Sequence, residues 1–461
     1  MTTNSKNGVS RHVLPNGLVI LLKESHKAPV ISFWVLYRVG SRDEPSGKTG
    51  ISHWVEHMMF KGTPNFPAGV LDKLIDREGG VWNAQTSLDY TAYFETMPAD
   101  RIDIALRAEA DRMVNAQFDP KEVENERTVI ISERQGLENS PSFWLGEEVQ
   151  AMAFRVHGYH HEVIGDMADL ERLTRDDLYT HYRTYYAPNN AIISVVGDFE
   201  SALMLGRLEE LYGNIPPTDL PKPFVRPEPP QQGERRVRVE RPGPTPLISV
   251  AYKVPAVTHP DWIKLFVLDS ILGGASGFGG GGVGNKTSRL YQALVKQELV
   301  AGFSSGLYPS ADPYLYSIDL TLREGRTLEE VEAALDAELA KAVNGEITQA
   351  ELDKARKQAR ALFAYSTESV TNQAFWLAYF EHVAGSYEFF LTFEERLRAV
   401  TLEDIHDVAR RYLRPQTRTV GWFVPTQNSG GGELEDSLTD ELLGDVHQEE
   451  AEDDDEWAFS A

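Results

Sequence analysis

The feature that most constrains this chain is that it carries one structural unit twice. The stretch LTRDDLYTHYRTYYAPNNAIISVVGDF, from Leu173, is echoed by VTLEDIHDVARRYLRPQTRTVGWFVP, from Val400. At a constant offset of 227 residues, Thr174 meets Thr401, Asp177 meets Asp404, Tyr185 meets Tyr412 and Pro188 meets Pro415. Each copy reads as a Thr-capped helix, broken before a proline and followed by a β-rich strand. Upstream, Asp119-Pro-Lys-Glu122 and Thr348-Gln-Ala-Glu351 each open a helix with a capping box. Helices over 101–115 and 328–343 precede them. A fold assembled from repeats is therefore required, with one core per copy.

Between the copies runs IPPTDLPKPFVRPEPPQQG, residues 215–233, whose proline density excludes helix and central strand. The domains read as 10–214, a linker over 215–233, a second domain over 234–425 and an acidic tail over 426–461. Strands over 18–23, 30–38, 91–96 and 192–196 fall between the helices out of βαβ order. This predicts an α+β fold of two duplicated domains, each a largely antiparallel sheet with helices packed on one face.

The first copy holds GISHWVEHMMFKGT, residues 50–63. On a helix, His53 and His57 project from one face four residues apart, and Glu56 leans over the same face. Two neutral imidazoles suit zinc, and the carboxylate suits deprotonation of a zinc-activated water. The order is the reverse of HExxH, with the glutamate beside the second histidine. With no cysteine in the chain, further ligands must come from His, Asp or Glu. Glu124, Glu126 and Glu133 lie on the helix opened by Asp119, and Glu126 and Glu133, seven apart, share one face. In the second copy the 229 offset puts Ala355 and Leu362 where Glu126 and Glu133 stand, and the helix over 261–272 has no histidine. One copy carries the candidate metal residues and the other has lost them.

With these motifs the sequence resembles the pitrilysin/insulinase family of metallopeptidases, in the branch that contains mitochondrial processing peptidase, over about residues 10–425. The resemblance implies a zinc metalloendopeptidase holding one Zn2+ per chain on His53, His57 and Glu133. It makes Glu56 the base and Glu126 the support behind the ligands. It also implies that Gly79–Ser87 forms a strand edge on which a peptide adds as an extra strand, with Asn83 and Ala84 contacting its backbone. Phe60 matches the pocket for the side chain after the cleaved bond. An acidic pair that reads a basic residue in the processing peptidases falls here on Phe143 and Glu147, so one acid remains and arginine selectivity is not expected. The Arg and Tyr that bind the substrate carbonyl fall on Val295 and Gly302. The chain therefore reads as the zinc-bearing member of a heterodimer whose paralogous partner supplies Arg and Tyr, with a homodimer second. The glycine-rich run over 273–284 resembles the loop of the non-catalytic processing subunit rather than a phosphate loop.

The competing reading is a non-catalytic structural or peptide-holding subunit of the same fold, which commonly lacks the metal residues present here. A net charge of −25 speaks against nucleic acid and anionic membrane as partners. Thirteen of the acids lie between Thr426 and Ala461 with no Lys or Arg, the pattern of a disordered, solubilising tail; docking through Trp457 and Phe459 is the alternative. Absence of an apolar leader at the start and of any cysteine makes a cytoplasmic location the expectation.

Overall fold

The computed structural model describes residues 4–222, 226–277, 280–282 and 286–426. The first half contains strands β1 (Asn4–Lys6), β2 (Val9–Val13), β3 (Val19–Glu24), β4 (Val30–Tyr37), β5 (Val81–Thr86), β6 (Thr91–Pro98) and β7 (Ala191–Gly197). Its helices are α1 (Ile51–Met58), α2 (Val70–Arg77), α3 (Asp103–Asn115), α4 (Pro120–Glu138), α5 (Pro141–Ala153), α6 (Met167–Leu170), α7 (Arg175–Tyr185) and α8 (Ser201–Tyr212). The second half has β8 (Arg235–Pro242), β9 (Leu247–Val254), β10 (Ser276–Gly277), β11 (Gly280–Gly282), β12 (Val300–Leu307), β13 (Tyr314–Leu322) and β14 (Arg418–Thr426). Its helices are α9 (Pro260–Leu272), α10 (Leu328–Val343), α11 (Gln349–Ser366), α12 (Val370–Val383), α13 (Glu388–Leu391), α14 (Phe393–Ala399) and α15 (Leu402–Tyr412).

The duplication holds strand by strand. The first sheet runs β1-β2-β3-β7-β4-β6-β5 and the second β8-β14-β9-β13-β12, so that β3, β7, β4, β6 and β5 match β8, β14, β9, β13 and β12 in order. The direction of each pair matches too: β3–β7 and β8–β14 are parallel, and the remaining pairs in these two sheets are antiparallel. Helices α7 and α15 carry identical capping boxes, Thr174 with Asp177 and Thr401 with Asp404. The hairpin β1–β2 is an addition to the first sheet, and the glycine-rich run contributes the small antiparallel pair β10–β11.

Helices of each half pack on one face of its own sheet, and the opposite face takes a helix from the other half. Helix α12 lies on β4 and β7 of the first sheet, where Phe375 meets the Trp34 ring at 4.9 Å. Helix α5 lies on β8, β9 and β14 of the second, with Leu145 and Val149 packed among Val239, Ala251 and Phe423. This explains why β4, VISFWVLY, lacks the alternation of a half-buried strand: both of its faces are covered, and every residue after Val30 is buried. Gly421 makes the second docking possible, because a Cβ there would stand 2.3 Å from Val149 and 2.8 Å from Leu145. Each buried Leu or Val contributes ~2 kcal/mol, so the exchanged helices bind the halves firmly. Lys23 to Gln373 and Arg11 to Glu381, both 2.7 Å, and Thr96 to Thr371 at 2.8 Å add polar ties.

The proline-rich connection is extended, with no helix or strand among its described residues, yet it is strapped down rather than free. Glu228 accepts the backbone N–H groups of Arg155, Val156 and His157, and Gln231 donates to the Arg418 carbonyl. Among the described residues no helix is long and apolar enough to cross a membrane. Beyond Thr426 the acidic segment, with Trp457 and Phe459, lies outside the described residues, as do residues 278–279 and 283–285 of the glycine-rich run.

Candidate metal centre

Helix α1 is placed by what caps it. Gly50 precedes it at φ +83°, a conformation that favours glycine, and a Cβ there would meet the Ile164 carbonyl at 2.5 Å. The carboxylate of buried Glu44 accepts the N–H groups of Gly50 and Ser52, each at 2.8 Å, and so satisfies orphan donors of the first turn. Burial nevertheless pushes the Glu44 carboxyl up to about 8. Trp54, Val55 and Met58 enter the core, which leaves His53, Glu56 and His57 to face α4 and β5.

Helix α4 begins with Asp119 as N-cap, its carboxylate accepting the Lys121 N–H at 2.8 Å, and Pro120 in the first turn. Val123 and Ile130 anchor it in the same core. The seven-residue spacing then presents Glu126 and Glu133 to α1. Glu133 Oε2 stands 3.8 Å from His53 Nε2 and 3.7 Å from His57 Nε2. One atom from each of the three residues falls within 4.8 Å of the others. At zinc bond lengths of ~2.1 Å, two ligands on one ion lie at most ~4.2 Å apart, so both separations from Glu133 fit a shared ion.

The protonation states fit the same purpose. His57 Nδ1 is 2.8 Å from Glu126 Oε1, an arrangement that assigns the proton to Nδ1 and turns the Nε2 lone pair toward Glu133. Glu126 is buried and also paired with Lys61. Burial alone would raise its pKa, but the hydrogen bonds of His57 and Lys61 hold it below the usual glutamate value. Burial would lower His57, and is outweighed by the Glu126 hydrogen bond and charge, which raise it. His53 is driven down to about 3 by burial and by the neighbouring His57, so it is neutral and ready to ligate. Glu56, 8% exposed, is raised by burial, while Thr86 Oγ1 donates to its Oε2 at 2.5 Å.

Beside this face runs β5, which among the described residues pairs only with β6 and leaves its other edge open. Asn83 is exposed, its side-chain oxygen 2.8 Å from the Ala84 N–H, and Ala84 is half-buried. Phe60 is half-buried against Trp82 at 4.7 Å. Behind them the buried Arg112 guanidinium lies 5.4, 5.3 and 5.0 Å from the Phe60, Trp82 and Tyr93 rings, balanced by Glu95 and Glu109. Glu147 is engaged elsewhere: it pairs with buried Arg134 at 2.6 Å, and the same guanidinium sits 4.8 Å from the Phe143 ring. Val295 is half-buried against the second-half core, and Gly302 sits at a register shift in β12.

Sequence reasoning named the three residues that converge here, His53, His57 and Glu133, but not Thr86 and Glu44, whose contacts with α1 arise only on folding. The second half preserves a trace of the same contact: Ser305, on the matching edge strand, donates to Asp269 on α9 at 2.6 Å. No histidine accompanies it on α9.

Comparisons with known proteins identify the family and the fold. Residues 19–167 match the insulinase (peptidase family M16) model, and residues 172–359 match the peptidase M16 inactive domain. The zinc protease PqqE of Helicobacter pylori is 33% identical over 423 residues, 89% of this chain and 92% of that protein. The mitochondrial-processing peptidase subunit beta of Lentinula edodes is 24% identical over 425 residues, 89% of each chain. The crystal structure of a protease from Helicobacter pylori superimposes with a TM-score of 0.85 at 32% identity, covering 90% of this chain and 99% of that one. The chain belongs to the M16 family of zinc proteases, with two α+β halves of which the second is of the inactive type.

Proposed function

We propose that this chain is a zinc metalloendopeptidase that cleaves peptides or unfolded segments, and that it is the catalytic subunit of a heterodimer. The observation that carries the reading is the convergence of His53, His57, Glu133 and Glu56 on one face beside an open strand edge. His53, His57 and Glu133 would hold one zinc ion, which when bound supplies polarisation of the scissile carbonyl and acidification of the attacking water. Glu56 takes the proton from that water and passes it to the leaving amine, and its raised basicity suits both transfers. The edge of β5 holds the substrate as an added strand, Asn83 and Ala84 facing its backbone. Phe60 and Trp82 receive the apolar side chain that follows the cut. Glu147, committed to Arg134, contributes little to recognising a basic residue.

Val295 and Gly302 offer no side-chain donor to the developing oxyanion. A paralogous partner carrying Arg and Tyr completes the site, and a cytoplasmic pair of this kind is the assembly we favour. The relatives' names speak for a protease; the competing non-catalytic role is favoured only by the inactive-type second half. The test is peptide turnover by the zinc-loaded chain, alone and with the partner, beside Glu56→Gln. Turnover that disappears in Glu56→Gln supports the reading. No turnover in either assembly supports the non-catalytic role.

A further inference from the structure

The turn that closes β5 is gripped from both halves of the chain. From the first half, the Ser41 and Arg42 N–H groups donate to the Ser87 and Leu88 carbonyls at 3.1 Å each. The approach is so close that a Cβ on Gly40 would meet those carbonyls at 2.4 and 2.5 Å. From the second half comes the loop after β12. Tyr308 places its hydroxyl 2.8 Å from Ser87 Oγ. The Ala311 N–H donates to Asp89 Oδ2 at 3.0 Å, and Asp312 meets Arg42 at 3.0 Å. His382, on the exchanged helix α12, lies 2.7 Å from the Asp89 carbonyl oxygen.

Asp89 is fully buried, takes the Tyr159 hydroxyl at 2.5 Å, and faces Arg42 at 3.0 Å, so several polar contacts hold this junction at once. The residue beside Ser87 is Thr86, whose hydroxyl holds Glu56. One covalent step therefore separates a second-half contact from the base.

We propose that Tyr308 is a positioning residue: through Ser87 it fixes the substrate edge β5 and, by Thr86, the carboxylate of Glu56. The histidine-free half is thus part of the working geometry. This rests on the peptidase reading for its catalytic consequence, but the mechanical part stands alone. Tyr308→Phe removes one hydroxyl and keeps the ring.

In the zinc-loaded full chain, Tyr308→Phe is expected to keep wild-type zinc content. It should speed amide hydrogen exchange in 81–86 relative to 191–197, and lower kcat on the order of tenfold, since small misplacements of reacting groups are costly. Ser87→Ala should act in the same direction, and the double variant should fall short of the sum of the two, because both delete the Tyr308–Ser87 contact. Unchanged exchange in β5 overturns the clamp. Faster exchange with unchanged kcat overturns the positioning role. If the wild type itself turns over nothing, the peptidase reading fails while the exchange comparison still decides the clamp.

Discussion

Removing the Glu126 carboxylate tests how the proposed zinc ligands are held. Glu126→Leu keeps a side chain of similar bulk at a 5% exposed position but deletes the acceptor 2.8 Å from His57 Nδ1. The His57 ring then loses the contact that fixes its orientation and tautomer. Partners of this kind contribute roughly 10–100-fold to metal affinity, so zinc binding should weaken by about 1.4–2.7 kcal/mol. Glu126→Gln, which keeps an acceptor but not the charge, should fall between. The pH dependence has a definite sign. Glu126 raises the pKa of metal-free His57, and a protonated imidazole cannot ligate. Wild-type affinity therefore declines as pH falls through the raised value, whereas the Leu variant declines only at lower pH. The gap is widest near pH 8 and narrows on acidification. Chelator competition from pH 6 to 8 measures it, and equal affinities for Leu variant and wild type at pH 8 would refute the reasoning.

Glu56→Gln should bind zinc as the wild type does and lose turnover by ~10²–10⁴, read by metal analysis beside a peptide assay. The isolated zinc-loaded chain should be slow, and the Arg/Tyr-bearing partner should raise kcat by ~10²–10³, the usual worth of an oxyanion donor; full activity alone would speak for a self-sufficient enzyme. Deleting residues 427–461 should leave the melting temperature and turnover nearly unchanged, as the segment's composition offers little apolar surface to bury. Lys253, lowered to about 8 by burial with Glu228 opposing, lies 4.0 Å from the Phe154 ring centre. Its unfolded state holds a proton up to 10.5, so it makes stability rise with pH from 8 to 10.5; Lys253→Met should remove that slope and stabilise the protein at pH 7 by at most ~3 kcal/mol, measured by denaturant titration.

What the sequence revealed was whatever rests on local periodicity. His53 and His57 are joined by one helical turn, and the capping boxes at Thr174 and Thr401 mark helix starts within two residues of their partners. Glu133 lies on α4, separated from the histidines of α1 by α2, β5, β6 and α3, so spacing left three glutamates in play and the family resemblance chose among them. Long-range pairings were invisible. Thr86 finds Glu56 across 30 residues, and nothing in either segment announces it. Helix α12, VTNQAFWLAYFEHV, is apolar around most of its circumference, which says that it is buried but not that it crosses to the other half's sheet. Gly421 looks like a weak point in a strand until α5 is seated against it.

The most direct test of the central claim is an anomalous difference map at the zinc edge from crystals grown with stoichiometric zinc. One peak is expected ~2.0–2.2 Å from His53 Nε2, His57 Nε2 and a Glu133 carboxylate oxygen. A peak elsewhere on the chain, or none between α1 and α4, would contradict it.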